Sequence, residues 1–102
     1  VLLNDGDELE FADTAFKVLH TPGHSLGSVC FVDEKNKIIF SGDTLFCLTV
    51  GRTDFIGGSF EDMMDSVKKL SLFADEFTVY PGHNRSTTIG FERKRNRYMR
   101  KL

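Results

Sequence analysis

The chain has 102 residues, 40% hydrophobic and 27% charged, with a formal net charge of −2. That length suits one compact unit with a buried core, and the near-balanced charge gives no general argument for nucleic acid as a partner. No apolar run approaches the roughly 18 residues of a membrane helix, so no membrane partner is expected either.

The amino terminus, Val1-Leu2-Leu3-Asn4-Asp5, has neither the basic nor the long apolar segment of a secretory signal. It also lacks an initiator methionine, so we expect the chain to begin inside a longer gene product or after processing. Asn4, Asp5, Gly6 and Asp7 are turn residues, and the alternation over residues 8–11 predicts a strand. Residues 15–19 form a second predicted strand, stopped by Pro22 and Gly23. Residues 28–32 and 37–40 are apolar and flank the polar turn 33–36, which predicts an antiparallel hairpin. The glycine-bearing stretch 51–58 is irregular and of the kind that carries function. Ser59 is a helix N-cap with Asp62 three residues on, and Phe60, Met63, Met64, Val67, Leu70 and Phe73 recur as a core-facing stripe. Residues 77–80 predict a fifth strand. A last helix is predicted from Thr87 or Thr88 to about Met99, weakened early by Gly90.

Charge is uneven. Residues 1–50 hold three Lys/Arg against eight Asp/Glu, and residues 51–102 hold ten against seven. Six of those ten lie within residues 93–101. A solvated helix face is the simpler explanation; contact with an anionic ligand or acidic partner is the sharper one. Cys30 and Cys47 are too few and too far apart for a disulfide framework or a paired zinc motif. Both read as packing residues, although Cys47 is close enough to Asp43 in sequence to line a site. Reduced thiols fit a cytoplasmic protein.

Three stretches carry the chemistry: His20-Thr21-Pro22-Gly23-His24-Ser25, Ser41-Gly42-Asp43-Thr44-Leu45-Phe46 and Tyr80-Pro81-Gly82-His83-Asn84. Each sets a histidine or carboxylate on a tight loop after an apolar run. His20 and His24 are four apart, but Pro22 and Gly23 bar a helix, so this is not a helical metalloprotease pair. His24 lies beyond the strand end, where a ligand can be aimed; His20 lies at the strand end and has a structural, loop-orienting role. Asp43 after a buried strand is costly unless capped, paired or metal-bound. Any one of these residues alone has an ordinary hydrogen-bonding explanation. The repeated layout allows three loops to converge on one edge of a sandwich, with side chains that suit a hard-to-borderline divalent metal.

The blocks Thr21-Pro22-Gly23-His24, Ser41-Gly42-Asp43-Thr44-Leu45-Phe46, Gly51-Arg52-Thr53-Asp54 and Pro81-Gly82-His83 with Thr87-Thr88-Ile89-Gly90-Phe91-Glu92 resemble, in order, the carboxy-terminal half of a metallo-β-lactamase-fold hydrolase of the glyoxalase II-like branch. The resemblance implies an α/β fold for residues 1–102: half of an αββα sandwich, mainly antiparallel strands with two helices. It implies that His24 binds a first metal, that Asp43 bridges two metals and is catalytic, and that His83 binds the second. Two zinc ions per complete site are implied, with iron or manganese as other candidates. The implied reaction is hydrolysis of a thioester or ester by a metal-bound hydroxide, with the metals stabilising the oxyanion. Arg52 would meet an anionic group on the substrate, unless Asp54 pairs with it. Asp rather than Cys at the bridging position points away from antibiotic hydrolysis.

The family's His-x-His-x-Asp-His cluster has no counterpart in this sequence. We therefore expect a partner: the missing amino-terminal half as another chain, a symmetry mate or a swapped dimer. No helical glutathione-binding domain follows within the sequence, which disfavours a glutathione thioester. Two other readings are weighed. One is a mononuclear iron persulfide dioxygenase of the same fold, with His24, Asp43 and an upstream histidine as ligands. The other is a non-catalytic dimerising fragment. The Pro81-Gly82-His83 block and the tail 87–90 favour the hydrolase.

Overall fold

A computed structural model describes residues 4–11, 13–54 and 56–102. Val1, Leu2 and Leu3 of the amino-terminal argument, and Phe55 of the irregular stretch, lie outside the described residues. The expected strands form a meander: β1 (Glu8–Phe11), β2 (Thr14–His20), β3 (Val29–Asp33) and β4 (Ile38–Gly42), each antiparallel to its neighbour. A two-stranded ribbon, β5 (Leu45–Phe46) and β6 (Thr49–Val50), follows. Helix α1 (Phe60–Ser71) then crosses over to β7 (Thr78–Pro81), which pairs parallel to β4 with Phe40 opposite Tyr80. A parallel pair needs such a crossover. Strand β8 (Thr87–Thr88) closes the six-stranded sheet in the order β1-β2-β3-β4-β7-β8. Because β3 is antiparallel to both β2 and β4, and β7 is parallel to β4, the strands β2, β4 and β7 all point the same way. Their carboxyl ends share one edge of the sheet.

The register sorts side chains onto two faces. Cys30, Val32, Ile39 and Val79 face α1, whose Met63, Val67 and Leu70 are fully buried against them. Each such burial contributes about 1.5–3 kcal/mol. The Ser59 hydroxyl accepts from the Asp62 N–H at 3.1 Å, capping α1 for about 1 kcal/mol. The stripe is narrower than its spacing predicts. Phe60 is 52% exposed and meets the Tyr98 ring edge-on, because it lies at the helix start beyond the sheet. Met64 and Phe73 are half-buried, and Ser66 takes a fully buried place instead, donating to the Pro22 carbonyl at 2.6 Å.

The opposite face is aromatic. Phe16 meets Phe40 edge-on with centroids 5.9 Å apart, and Phe40 stacks on Tyr80 at 5.7 Å. Phe11, Phe40 and Tyr80 remain exposed.

The single last helix expected is two: α2 (Ile89–Arg95), capped by Thr88, and α3 (Arg97–Arg100). Between them Asn96 is extended (φ −79, ψ 118) and fully buried. Its amide donates to the Thr49 carbonyl at 3.2 Å and to Glu92 Oε1 at 2.8 Å, and its Oδ1 accepts from the Tyr98 N–H. A side chain that competes for backbone groups ends one helix and caps the next. Glu92, also fully buried, accepts from the Leu48 N–H and from the Thr87 hydroxyl as well. The ribbon, β8 and both short helices are thereby tied together. Within the basic stretch, Lys94, Arg95, Arg97, Arg100 and Lys101 are exposed, as a solvated face requires. Arg93 instead pairs with Asp75 and donates to the Ser71 and Phe73 carbonyls at the end of α1. Among the described residues no helix is long and apolar enough to cross a membrane.

Cys30 is fully buried, and burial pushes its thiol from the ordinary 9.0 up to about 11. Below pH 9 the thiol is protonated whether the chain is folded or not. Between these two values the unfolded chain loses a proton that the folded chain keeps, so stability falls as pH rises, by about 1.4 kcal/mol per pH unit. Urea unfolding across this window is expected to show the Cys30→Ala variant with a correspondingly flatter decline.

Candidate functional site

The three chemistry-bearing loops leave the shared edge after β2, β4 and β7. The loop after β2 is pressed onto α1. Gly23 lies at φ +145, where a Cβ would come within 2.5 Å of the Met63 Cα, and its carbonyl accepts from the Ser59 N–H at 2.8 Å. His20 braces this loop, with Nε2 2.8 Å from the Leu26 carbonyl; its backbone N–H donates to Asp5 and its carbonyl accepts from Lys69. The loop after β4 turns through a bond from the Thr44 N–H to the Ser41 carbonyl. Gly51 lies so close on it that a Cβ would sit 1.7 Å from the Asp43 carbonyl oxygen. The loop after β7 is joined to it by a bond from the Gly82 N–H to the Gly42 carbonyl at 2.8 Å.

Beneath the loops lies a small polar knot. The Thr21 hydroxyl is 3.1 Å from that of Thr44 and 3.4 Å from the Cys30 sulfur, and the Cys30 thiol donates to the Ser41 carbonyl. All four residues are fully buried. The knot ties the His24 loop to the Asp43 loop across the start of β3.

The result brings His24, Asp43 and His83 together, and His20 stays apart from them. Asp43 is central: Oδ2 lies 3.6 Å from His24 Nε2, and Oδ1 lies 3.6 Å from His83 Nε2. His24 Nδ1 is 3.0 Å from the Arg52 carbonyl. A carbonyl only accepts, so Nδ1 carries the proton and the lone pair of the neutral ring is on Nε2, toward Asp43. The His83 side chain is 76% exposed and stacks on Phe46, centroids 6.1 Å apart at 19°. These residues, with Arg52 and Asn84, line a cleft of about 380 Å³.

Two imidazoles and a carboxylate form a donor set that suits zinc, iron or manganese. Among the described residues, no three His, Cys, Asp or Glu side chains close around a single point as a ready-made one-ion cage. The arrangement is instead a row, in which each oxygen of one carboxylate faces a different imidazole.

Arg52 lines the cleft, and its guanidinium is engaged by Asp54 at 3.0 and 3.4 Å. This donation holds the Asp54 carboxyl below its ordinary range. Sequence reasoning singled out Arg52 for its charge and missed its carbonyl, since every residue carries one. It also missed the stacking of Phe46 on His83 and the pairing of Thr21 with Thr44, which joins positions 23 apart in the chain.

Thr21→Val is expected to leave the buried Thr44 hydroxyl without this partner, at a cost of about 1–3 kcal/mol in urea unfolding. The double variant with Thr44→Val should lose less than the sum of the two singles, since both remove the same contact.

The metallo-beta-lactamase superfamily model matches residues 1–83, a span that ends on His83. An uncharacterized protein of Mycobacterium leprae is 48% identical over 100 residues, covering 96% of this chain and 46% of its own length. Hydroxyacylglutathione hydrolase GloC of Haemophilus influenzae is 36% identical over 96 residues, covering 93% of this chain and 45% of its own. Of solved structures, the BLEG-1 B3 metallo-beta-lactamase superposes with a TM-score of 0.89 at 38% identity, covering 95% of this chain and 47% of that one. TTHA1623 in a di-iron-bound form superposes with a TM-score of 0.87 at 42% identity, covering 94% and 46%. The chain thus spans about half the length of the curated relatives it matches.

Proposed function

This chain belongs to the metallo-β-lactamase superfamily, and from that premise we propose that it contributes about half the centre of a metal-dependent hydrolase acting on a thioester or ester. The observation that carries the proposal is the row His24–Asp43–His83, with one carboxylate between two imidazole nitrogens. Divalent ions held there, zinc in the first instance and iron in the second, supply Lewis acidity to a water and to an acyl oxygen. The chain's own residues set the stage for that chemistry. The Arg52 carbonyl fixes the His24 tautomer, so that Nε2 is the donor atom. Phe46 holds the His83 ring by stacking. Asp43, whose two oxygens face different imidazoles, would hold metal together with both histidines, and its loss should be felt on both sides. The Arg52 guanidinium lines the same cleft but is paired with Asp54, the alternative to its meeting an anionic substrate group. A one-iron persulfide dioxygenase of the same fold is the second reading: it would use His24 and Asp43 without His83 as a ligand, and one iron per site rather than two ions would favour it.

The partner in this reading is the amino-terminal half of the same domain, with residues 1–102 as the carboxy-terminal half. Its seat is the aromatic sheet face, where Leu9, Phe11, Phe16, Phe31 and Phe40 line an apolar groove of about 300 Å³. An apolar face of this extent is usually covered, and the half-length match to the relatives supports a covering half rather than a second copy. Two free thiols are in keeping with a cytoplasmic setting.

The test uses the full-length protein loaded with zinc. Thioester hydrolysis is expected, with a β-lactam turned over far more slowly. A chelator should abolish it, and Asp43→Asn should lower kcat/KM on the order of 100-fold or more while the metal-free variant unfolds close to the midpoint of the metal-free unaltered protein. Undiminished hydrolysis after metal removal would refute the proposal.

A further inference from the structure

A second cleft, of about 370 Å³, is lined by Cys47, Arg85, Ser86, Thr87, Thr88 and Phe91. It adjoins the first at two separate points of the chain. Phe46 and Asn84 line the first cleft, and the next residues, Cys47 and Arg85, line the second. The two clefts are therefore neighbours on the surface of the protein.

The cleft contains one cation, Arg85. Its Nε donates to the Cys47 sulfur at 3.5 Å, which braces the guanidinium against the cleft wall. Among the described residues no carboxylate lies within ion-pair distance of Arg85, whereas Arg52 has Asp54, Arg93 has Asp75 and Lys37 has Glu76. Glu92, behind Thr87, acts on Arg85 only through its charge: it is buried and accepts three hydrogen bonds, from Leu48, Thr87 and Asn96. Among the described residues the two Nη atoms of Arg85 make no hydrogen bond to the protein, and they form the planar fork that matches a carboxylate. The half-exposed Phe91 ring and the Cys47 side chain provide apolar surface beside it. The Thr88 hydroxyl accepts from the Phe91 N–H, and that of Thr87 donates to Glu92, so neither competes for the guanidinium.

We propose that this second cleft is an anion subsite of the same centre, in which Arg85 binds a carboxylate carried by the substrate on a short aliphatic spacer. The spacer lies along Phe91 and Cys47, and the scissile acyl group lies over Asp43. The preferred substrates are then thioesters that bear a carboxylate, not neutral ones. The inference rests on the hydrolase reading and deepens it.

The experiment compares thioesters of β-mercaptopropionic acid and its longer homologues with thioesters of the matching primary amides, using the full-length, metal-loaded protein. At the best spacer length, kcat/KM should favour the acid about tenfold. Arg85→Met should lower kcat/KM on the acid toward that on the amide and bring the ratio near one, and Arg85→Lys should retain part of the preference. Uncleavable thioether analogues, followed by calorimetry, should show the same tenfold preference in binding and the same loss in Arg85→Met. Absence of turnover on any thioester would defeat the hydrolase reading by itself, and the thioether affinities would still decide the subsite. Equal handling of acid and amide by the unaltered protein, or an acid preference that survives Arg85→Met, would overturn the proposal.

Discussion

The contact between the Thr21 and Thr44 hydroxyls, 3.1 Å long and sealed from solvent, is what the site depends on. β2 and β4 are separated by β3, so the loops that follow them have no reason of their own to meet. The two threonines meet over the first residues of β3, with the Cys30 thiol completing the link to the Ser41 carbonyl. Buried polar groups are stable only when matched, and each member of this knot is matched by another. The same matching that keeps the interior free of unpaired hydroxyls therefore sets the spacing of His24 from Asp43.

Strand direction and small residues complete the assembly. With β2, β4 and β7 parallel in sense, every loop at that edge can contribute a side chain to one cleft. Gly51 and Gly82 let two further segments approach the Asp43 loop closely; a Cβ at Gly82 would lie 3.2 Å from the Gly42 carbonyl. The irregular stretch that begins at Gly51 then delivers the Arg52 carbonyl to His24. One carboxylate between two imidazoles is the electrostatic outcome, an arrangement that gains most when cations are present.

Much of this was legible in the sequence, and the parts that were not share a cause. β1 to β4 and the capped start of α1 are written in local patterns: alternation, turn residues, and a serine three residues ahead of an aspartate. β5, β6 and β8 are two residues each, and only their tertiary partners define them. The break at Asn96 depends on a carbonyl 47 residues away, at Thr49, so no helical periodicity could reveal it. The parallel pairing of β4 with β7 is likewise a matter of topology. Phe60 fits the apolar stripe by spacing and misses the core because the sheet does not extend beneath it. The three site residues were legible because each sits on a strand-turn element; their orienting groups were not, because a backbone carbonyl and a ring face have no sequence signature.

The central claim is that Asp43 is shared between two cations, one on the His24 side and one on the His83 side. Anomalous diffraction at the zinc edge from crystals of the full-length protein grown with zinc tests it most directly. Two peaks are expected, flanking the Asp43 carboxylate, each within bonding distance of one of the two imidazoles. Peaks confined to other residues, or a lone ion with His83 turned away, would contradict the account.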